Sequence, residues 1–334
     1  MSKKMVLTGG GSAGHVIPAL ALIPGLKQAG FEVHFIGGSG IEKVLVQENF
    51  REISCEKLRR SFSPKNLFLP LKVYKGYRQS LKLLKELRPA LVFSKGGFTA
   101  VPVCFAAAKL KIPIVSHESD LTLGLANRLI YRKCKVMFCS FQETVLYGNK
   151  MRHSGSIIRS EILNLSLRAE RSNLKTVLIL GGSLGAAALN NIVFDALPEL
   201  TKKYNIIHIC GRGKTRKTEA NNYTALEYTS EIEKLYAKAD YVVSRAGSGT
   251  IFELLYLKKP MLLIPLPKKS SRGDQLLNAQ VFEKQGFAKV LQQENLTIAS
   301  LLRELSALED FKFPKTVPNI PGNEIVLSYL LNLF

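Results

Sequence analysis

The sequence has no tryptophan, no C-x-x-C pair and no long apolar run. An odd number of cysteines, five, argues against a closed disulfide framework, so reduced thiols in a cytosolic protein are expected. No stretch approaches the roughly 20 consecutive apolar residues of a membrane-spanning helix. The first apolar run, Met5–Leu7, meets glycine too soon to form the apolar region of a signal peptide. A soluble or peripheral protein is therefore expected.

Acidic residues are scarce in the chain. Lys and Arg number 47 against 26 Asp and Glu, for a net charge of +21. Residues 1–160 carry +16 of this charge and residues 161–334 only +5. The N-terminal half is thus expected to face an anionic partner, which could be nucleic acid, an anionic lipid surface or a phosphorylated substrate. Composition alone does not choose among the three.

Short apolar runs alternate with longer helical patterns, which is typical of βαβ units and a parallel sheet. The pattern occurs twice, and a chain of 334 residues is long enough for two domains. The predicted strands are Met5–Thr8, Glu32–Ile36, Leu91–Ser94, Ile114–Ser116 and Val136–Cys139, then Val177–Leu180, Ile206–Cys210, Tyr241–Ser244 and Met261–Ile264.

Two further segments complete the predicted organisation. Glu161–Lys175 has no strand pattern and is predicted to be the interdomain linker. Asn323–Phe334 has apolar residues at helical spacing and is expected to pack back on the first domain.

Glycine-rich turns follow the first strand of each predicted domain. Gly9–Pro18 formally matches G-x-G-x-x-G, and Gly181–Ala186 is a second turn of this kind. Such turns bring helix N-terminal amides close to a phosphate or a sugar hydroxyl. A nicotinamide cofactor would need an acidic residue after the second strand, where this chain has Gly37–Ser39, so a dehydrogenase is disfavoured. The paired turns favour a cleft with a nucleotide on one domain and an acceptor on the other.

Six segments taken together carry a family resemblance. In order they are Gly9–Pro18, Phe93–Phe98, His117–Asp120, Leu180–Ala186, Ser244–Glu253 and Ser271–Ala279. They resemble the MurG family of UDP-N-acetylglucosamine transferases across almost the whole chain. The resemblance implies an α/β protein with the GT-B glycosyltransferase fold, in which two Rossmann-like parallel-sheet domains face each other across a cleft.

The resemblance also implies how the two domains divide the work. Residues 1–160, with a C-terminal helix at about 323–334, would form the acceptor- and membrane-facing domain, and residues 161–322 would bind UDP-GlcNAc. The acceptor would be lipid I, undecaprenyl-diphospho-MurNAc-pentapeptide. Its C4 hydroxyl would receive GlcNAc with inversion, giving lipid II for peptidoglycan synthesis at the cytoplasmic face of the membrane.

The resemblance also implies roles for individual residues, at the positions that match the family's motifs. On the donor side, Glu253 would hold the ribose hydroxyls, Ser183 would bind phosphate, and the segment around Thr229 would meet uracil through its backbone. The remaining donor-side residues implied by the resemblance are Ser248, Gly249, Thr250 and Gln275 at the diphosphate and sugar, and Arg159 near the nucleotide. In the N-terminal domain the implied substrate-binding residues are Ser12, Ala13, Gly14 and Asn127.

His15 is the candidate base, because histidine titrates near neutral pH. The alternative is that His15 only caps or orders its helix. Glu118 is a rival acid-base group, with an equally open role as a buried helper that orients its loop. Two motifs depart from the family's usual Gly-Gly-Thr-Gly-Gly-His and His-Glu-Gln-Asn, at Ser12–Ala13 and Ser119–Asp120, and the second departure puts a sugar contact of Asp120 in doubt. No D-x-D pair is present, so neither a metal nor another cofactor is expected.

The segment from Lys57 to Arg88 is basic, with apolar residues among its lysines and arginines. This mixture is typical of a surface that enters the headgroup region of an anionic membrane. The alternative is a solvated basic helix with one face in the core. We predict a membrane contact here because the implied acceptor is itself bound to lipid.

Two other functions remain open from the sequence. One is another GT-B enzyme acting on a UDP-sugar, such as a lipid glucosyltransferase or a UDP-GlcNAc epimerase. The other is a basic nucleic-acid-binding module, which only the net positive charge supports. No RNA-binding motif is recognisable, tryptophan is absent and aromatic residues are only 8% of the chain, so no nucleic-acid partner is expected.

Overall fold

The computed structural model describes residues 3–56, 69–165, 173–182, 185–269, 272–318 and 321–334. The chain forms two compact units, unit 1 (Met1–Arg159 with Asn319–Phe334) and unit 2 (Ser160–Pro318). Each unit is built on one parallel sheet covered by helices, and the predicted α/β class with two parallel-sheet domains is confirmed.

The strands of unit 1 are β1 (Lys4–Thr8), β2 (Glu32–Gly37), β3 (Phe50–Glu52), β4 (Leu91–Ser94), β5 (Ile114–Glu118), β6 (Val136–Cys139) and β7 (Met151–His153). These described strands pair in parallel in the order β3-β2-β1-β4-β5-β6-β7. The order reverses between β1 and β4. The loops after these two strands therefore meet at the edge where ligands of open α/β sheets bind.

The described helices of unit 1 are α1 (Ala13–Leu20), α2 (Ile23–Gln28), α3 (Ile41–Leu45), α4 (Leu69–Leu87), α5 (Ala100–Lys109) and α6 (Leu125–Tyr131), with a 3₁₀ helix at Gln142–Tyr147. Successive residues of β1 point to opposite faces of the sheet. Met5 and Leu7 pack in the core under α1 and α2, whereas Val6 packs in the core under α4, α5 and α6. The sheet is thus covered on both faces, which explains why its inner strands β4 and β6 are largely apolar.

The C-terminal segment completes unit 1. Unit 2, which begins with helix α7 (Ser160–Leu163), intervenes in the sequence. The last described helix of the chain is α13 (Asn323–Leu331). Its Val326 and Leu330 are fully buried in the same core as Met5. Asn323 pairs with the backbone of Ile158, accepting from its N–H at 2.9 Å and donating to its carbonyl at 2.8 Å. The tail is therefore part of the unit 1 core.

The strands of unit 2 are β8 (Lys175–Leu180), β9 (Tyr204–Ile209), β10 (Tyr223–Leu226), β11 (Tyr241–Ser244), β12 (Met261–Leu263) and β13 (Lys289–Val290). Its described helices besides α7 are α8 (Ala187–Lys203), α9 (Ile232–Lys238), α10 (Ser248–Tyr256), α11 (Asp274–Lys284) and α12 (Ile298–Ser306), with a 3₁₀ helix at Gln293–Asn295. The described strands pair in the order β10-β9-β8-β11-β12-β13, so the order reverses between β8 and β11.

The predicted linker, Glu161–Lys175, differs from the structure at both ends, and at its C-terminal end Lys175 is already the first residue of β8. Residues 161–163 lie in the helical turn α7, and the Tyr256 hydroxyl donates to the Leu163 carbonyl at 3.5 Å. Residues 166–172 lie outside the described residues. A single turn fixed by a tertiary contact is too short to show an apolar period, so the sequence could not predict it.

Candidate functional site

The loops after β1 and β4 pack backbone against backbone in unit 1. Gly97 has a φ of +82°, and a Cβ there would lie 2.1 Å from the Gly10 carbonyl oxygen. Gly11 also has a φ of +82°, and a Cβ there would lie 2.4 Å from the Phe98 ring. Glycine is therefore required at both positions by space and by backbone conformation. The result is a close pairing of two glycine loops at the switch point of the sheet.

His15 lies in the first turn of α1, directly after this loop, and its side chain is half-buried. Its Nδ1 lies 2.8 Å from Ser12 Oγ, and its N–H donates to the Ser12 carbonyl at 3.1 Å. When Nδ1 carries the proton and donates to Ser12 Oγ, the basic lone pair is on Nε2. Ser12 thus orients the imidazole. Of the other predicted substrate-binding residues here, Ala13 is half-buried and Gly14 is exposed.

Glu42, at the start of α3, is a residue that the sequence did not single out. Its carboxylate is fully buried and accepts hydrogen bonds from the N–H groups of Gly11 at 3.2 Å and Gly38 at 3.0 Å. One buried side chain thereby fixes the glycine turns after β1 and β2. The available signal was an acidic residue directly after the glycine-rich Gly37–Gly40, but in sequence it is indistinguishable from an ordinary first-turn acid of a helix.

Glu118 ends β5 and is almost fully buried. One carboxylate oxygen accepts from the Asp120 N–H at 3.0 Å, and the other accepts from the Gly124 N–H at 2.9 Å and from Asn127 Nδ2 at 3.0 Å. These bonds hold the loop between β5 and α6. The geometry matches the loop-orienting alternative for Glu118 better than an acid-base role.

Asn127, predicted to bind substrate, is also buried. Besides Glu118, its Nδ2 donates to the His117 carbonyl at 3.3 Å, and its Oδ1 accepts from Ser116 Oγ at 3.3 Å. The carboxamide is therefore engaged within unit 1, where it joins α6 to the end of β5.

Lys95, the first residue after β4, is 1% exposed. Burial lowers the pKa of its ammonium from 10.5 to about 8, although the charges of Glu118 and Asp120 act in the opposite direction. Between about pH 8 and 10.5 the unfolded chain therefore binds more protons at this position than the folded chain does, so stability rises with pH across that window.

We expect Lys95→Met to remove this pH dependence. The shift corresponds to about 3 kcal/mol of unfolding free energy gained by the parent protein between pH 7.5 and 10.5. Urea denaturation of both proteins at several pH values measures the difference between them, which cancels the titration of other groups. A difference that stays constant with pH would show that the ammonium is not buried as described.

The candidate site of unit 2 begins with the loop that follows β8. Gly185 has a φ of +69°, and a Cβ there would lie 2.0 Å from the Cys210 carbonyl oxygen. Glycine is thus required where this loop passes the end of β9. Ser183, the predicted phosphate ligand, lies outside the described residues.

The N-terminus of α10 lies next to this loop, because β11 and β8 are neighbouring strands. Ser248 is buried at the first position of the helix, and Gly249 and Thr250 are half-buried. Backbone N–H groups at such a helix start are suited to a diphosphate. The residue before this turn, Arg245, is buried and donates to the Ile264 carbonyl at 2.9 Å and to Gln293 Oε1 at 2.6 Å, which ties the ends of β11 and β12 together.

Glu253 lies on the second turn of α10 and is 5% exposed. The Tyr236 hydroxyl donates to its Oε2 at 3.4 Å. A nearly buried carboxylate close to a helix start that is suited to a diphosphate could accept hydrogen bonds from a vicinal diol.

Gln275 lies in the first turn of α11, and its Oε1 accepts from the Leu266 N–H at 3.1 Å. One turn on, buried Asn278 donates to the Ala246 carbonyl at 3.3 Å, which holds α11 beside the loop after β11. The structure therefore brings Gln275 to the same edge of the sheet as Ser248. Thr229 follows β10, on the other side of β9, and its Oγ1 accepts from the Glu231 N–H at 3.0 Å.

The remaining predicted residues fall as follows. Arg159 ends unit 1 and is half-buried. His208 is fully buried between Asn190 and Tyr223, and burial lowers its pKa to about 4. His34 is buried and His153 half-buried, and these three histidines lie in the strands β2, β7 and β9.

Helix α4 is the described part of the predicted membrane segment, since residues 57–68 lie outside the described residues. Leu84 and Leu87 pack in the core, while Leu71 and Tyr74 are 66% and 57% exposed. The exposed basic residues of the helix are Lys72, Lys75, Arg78, Lys82 and Lys85. Among the helices that the structure describes, none is long and apolar enough to cross a membrane.

Within the described ranges, no three or more His, Cys, Asp or Glu side chains come together closely enough to hold a metal ion.

Two family models match the chain. The glycosyltransferase family 28 N-terminal domain matches residues 5–139, and the family 28 C-terminal domain matches residues 176–317. A UDP-N-acetylglucosamine–N-acetylmuramyl-(pentapeptide) pyrophosphoryl-undecaprenol N-acetylglucosamine transferase of Clostridium kluyveri is 48% identical over 322 residues, covering 92% of this chain and 91% of that protein. A protein of the same name from Clostridium botulinum is 46% identical over 335 residues, covering 96% and 93%.

A solved structure agrees with these relatives. The crystal structure of Acinetobacter baumannii MurG superposes with a TM-score of 0.75 at 25% identity, covering 99% of this chain and all of that one.

Proposed function

The chain belongs to the MurG family of glycosyltransferases, and from this premise we propose that it transfers GlcNAc from UDP-GlcNAc to the C4 hydroxyl of MurNAc in lipid I. The product is lipid II, the disaccharide precursor of peptidoglycan. The observation that carries the proposal is the 48% identity over 322 residues to a transferase of this name. It spans both family 28 domains, and therefore both candidate sites.

In the proposed reaction, the acceptor oxygen forms a bond to the anomeric carbon of GlcNAc. The bond from that carbon to the UDP oxygen breaks, and UDP leaves with the electron pair. The acceptor hydroxyl loses its proton to His15 Nε2, the ring nitrogen that keeps the lone pair when Nδ1 donates to Ser12. Glu42 supports this step indirectly, because it fixes the turn that precedes α1.

Unit 2 supplies the donor site in this proposal. The N-terminus of α10, from Ser248 to Thr250, holds the diphosphate and stabilises the charge that develops as UDP leaves. Glu253 accepts hydrogen bonds from the ribose hydroxyls, and Gln275 contacts the sugar. Ser183, Thr229 and Arg159 keep the donor-side roles that the family resemblance gives them.

The direct test is transfer of labelled GlcNAc from its UDP derivative to a short-chain lipid I analogue. We expect turnover with UDP-GlcNAc and little with UDP-glucose. Transfer from UDP-glucose alone would favour a lipid glucosyltransferase. Conversion of UDP-GlcNAc to a second nucleotide sugar without an acceptor would favour an epimerase.

We also propose that α4 contacts the anionic cytoplasmic surface of the membrane. The support is its row of exposed basic residues with Leu71 and Tyr74 exposed beside them. Lysines of such a surface meet lipid phosphates while the apolar side chains enter the headgroup region.

Reversing two charges on α4, Lys75→Glu with Lys82→Glu, is expected to weaken binding to anionic vesicles by at least about thirtyfold, since each basic residue contributes about 1 kcal/mol near such a surface. Flotation with phosphatidylglycerol vesicles measures the bound fraction. The matched control is Lys238→Glu with Lys284→Glu, which changes net charge equally on exposed positions of unit 2. Equal losses in both double variants would show that net charge, and not α4, governs binding.

A further inference from the structure

A buried chain of hydrogen bonds joins three loops of unit 1. Lys95 Nζ lies 2.9 Å from His117 Nδ1 and donates to Ser119 Oγ. His117 Nε2 lies 3.1 Å from the Gly155 carbonyl oxygen. Both Lys95 and His117 are at most 1% exposed. Burying an ammonium is costly unless hydrogen bonds and nearby charges compensate for lost water.

The direction of each bond follows from the chemistry of the partners. A carbonyl only accepts, so His117 Nε2 carries the proton and donates to Gly155. Nδ1 then has the lone pair and accepts from the Lys95 ammonium. Burial and the charge of Lys95 hold the pKa of His117 well below its usual range, which keeps the imidazole neutral. Lys95 is therefore the cation, and it donates to both His117 and Ser119.

Ser119 is where this chain of bonds reaches the surface. Its side chain is half-buried, whereas Lys95 behind it is inaccessible. Because Ser119 Oγ accepts from the ammonium, its own O–H is left to donate. The backbone on either side is fixed, since the Glu118 carboxylate binds the N–H groups of Asp120 and Gly124. A hydroxyl held in this way is a preorganised donor at the carboxyl end of β5, on the ligand-binding edge of the sheet.

We infer that Lys95 is a positioning residue for the acceptor: it fixes the Ser119 hydroxyl, which donates a hydrogen bond to a neutral oxygen of the acceptor sugar. The inference rests on the proposed function. Two carboxylates, Glu118 and Asp120, interact with the one ammonium, so the local charge is not positive. A sugar oxygen therefore suits this donor better than a phosphate oxygen does.

The test measures KM for the lipid I analogue at saturating UDP-GlcNAc in Lys95→Met, Ser119→Ala and the double variant. Each single variant is expected to raise the acceptor KM about five- to tenfold, the effect of losing one hydrogen bond. The double variant should be no worse than either single one, because both changes remove the same interaction. Ser119→Thr, which restores the hydroxyl, should recover most of the affinity lost in Ser119→Ala. The donor KM should change less than twofold in every variant.

Several outcomes overturn the inference. If the increases in acceptor KM were additive in the double variant, Lys95 and Ser119 would act independently of each other. A parallel rise in donor KM would indicate general loosening of the fold. An unchanged acceptor KM in Ser119→Ala would show that the Ser119 hydroxyl does not contact the acceptor. If the increase in acceptor KM disappeared with an acceptor that lacks one phosphate, the Ser119 hydroxyl would donate to that phosphate and not to the sugar. If the parent protein transferred no GlcNAc at all, the proposed function itself would be wrong. Failure of this inference and failure of the proposed function are therefore distinguishable.

Discussion

Replacing His15 with alanine is expected to lower kcat by about 10²- to 10⁴-fold, the usual contribution of a positioned base. The half-buried imidazole lies directly after the glycine loop, and Ser12 orients it through Nδ1. The donor KM should be unaffected, because the donor is bound by unit 2 in the proposed mechanism. Initial rates with both substrates varied, together with a thermal melt to check folding, provide the measurement.

Two control variants sharpen this result. Ser12→Ala keeps the imidazole but removes the group that orients it, so its effect on kcat should be smaller than that of His15→Ala. His153→Ala removes a half-buried histidine of unit 1 that bonds the Ser140 carbonyl, and it should leave kcat within a few-fold of the parent. Near-normal turnover of His15→Ala would show that His15 only orders its helix.

Replacing Glu253 with alanine is expected to lower kcat/KM for UDP-GlcNAc by about 10²- to 10³-fold, since hydrogen bonds to a charged group contribute about 1.5–3 kcal/mol each. The loss should be mainly in the donor KM, with the acceptor KM unchanged. Glu283→Ala, an exposed glutamate on α11, is the matched control and should be neutral.

A substrate analogue makes the assignment specific to the ribose. The parent protein should use 2′-deoxy-UDP-GlcNAc at least tenfold less well than UDP-GlcNAc, because one hydroxyl of the diol is missing. The Glu253→Ala variant should no longer distinguish the two. Continued discrimination by this variant would place the ribose contact elsewhere in unit 2.

The sequence predicted the central strands well because these strands are buried on both faces. β1, β4 and β11 are uninterrupted apolar runs, and the fold class and the GT-B match of the whole chain are confirmed. The edge strands were not predicted. Phe50–Glu52 and Lys289–Val290 are only three and two residues long and partly exposed, so neither an apolar run nor an alternation marks them.

The glycine loops were located correctly, but the side chains that hold them were less accessible to sequence reasoning. Glu42 contacts Gly11, which is 31 residues away in the sequence, and Lys95 contacts His117, which is 22 residues away. No local sequence pattern predicts such a distant partner. For Glu118, three internal hydrogen bonds engage the carboxylate, which favours the loop-orienting alternative. The roles of the other predicted site residues stay predictions.

The most direct measurement of the central claim is an NMR analysis of the product formed from UDP-GlcNAc and a lipid I analogue. A transferase that inverts the anomeric carbon must release one UDP for each β-linked GlcNAc-MurNAc disaccharide on the lipid carrier. We expect this product, with the new bond at the MurNAc C4 oxygen. An α-linked disaccharide, or UDP-GlcNAc consumed with no sugar on the lipid, would contradict it.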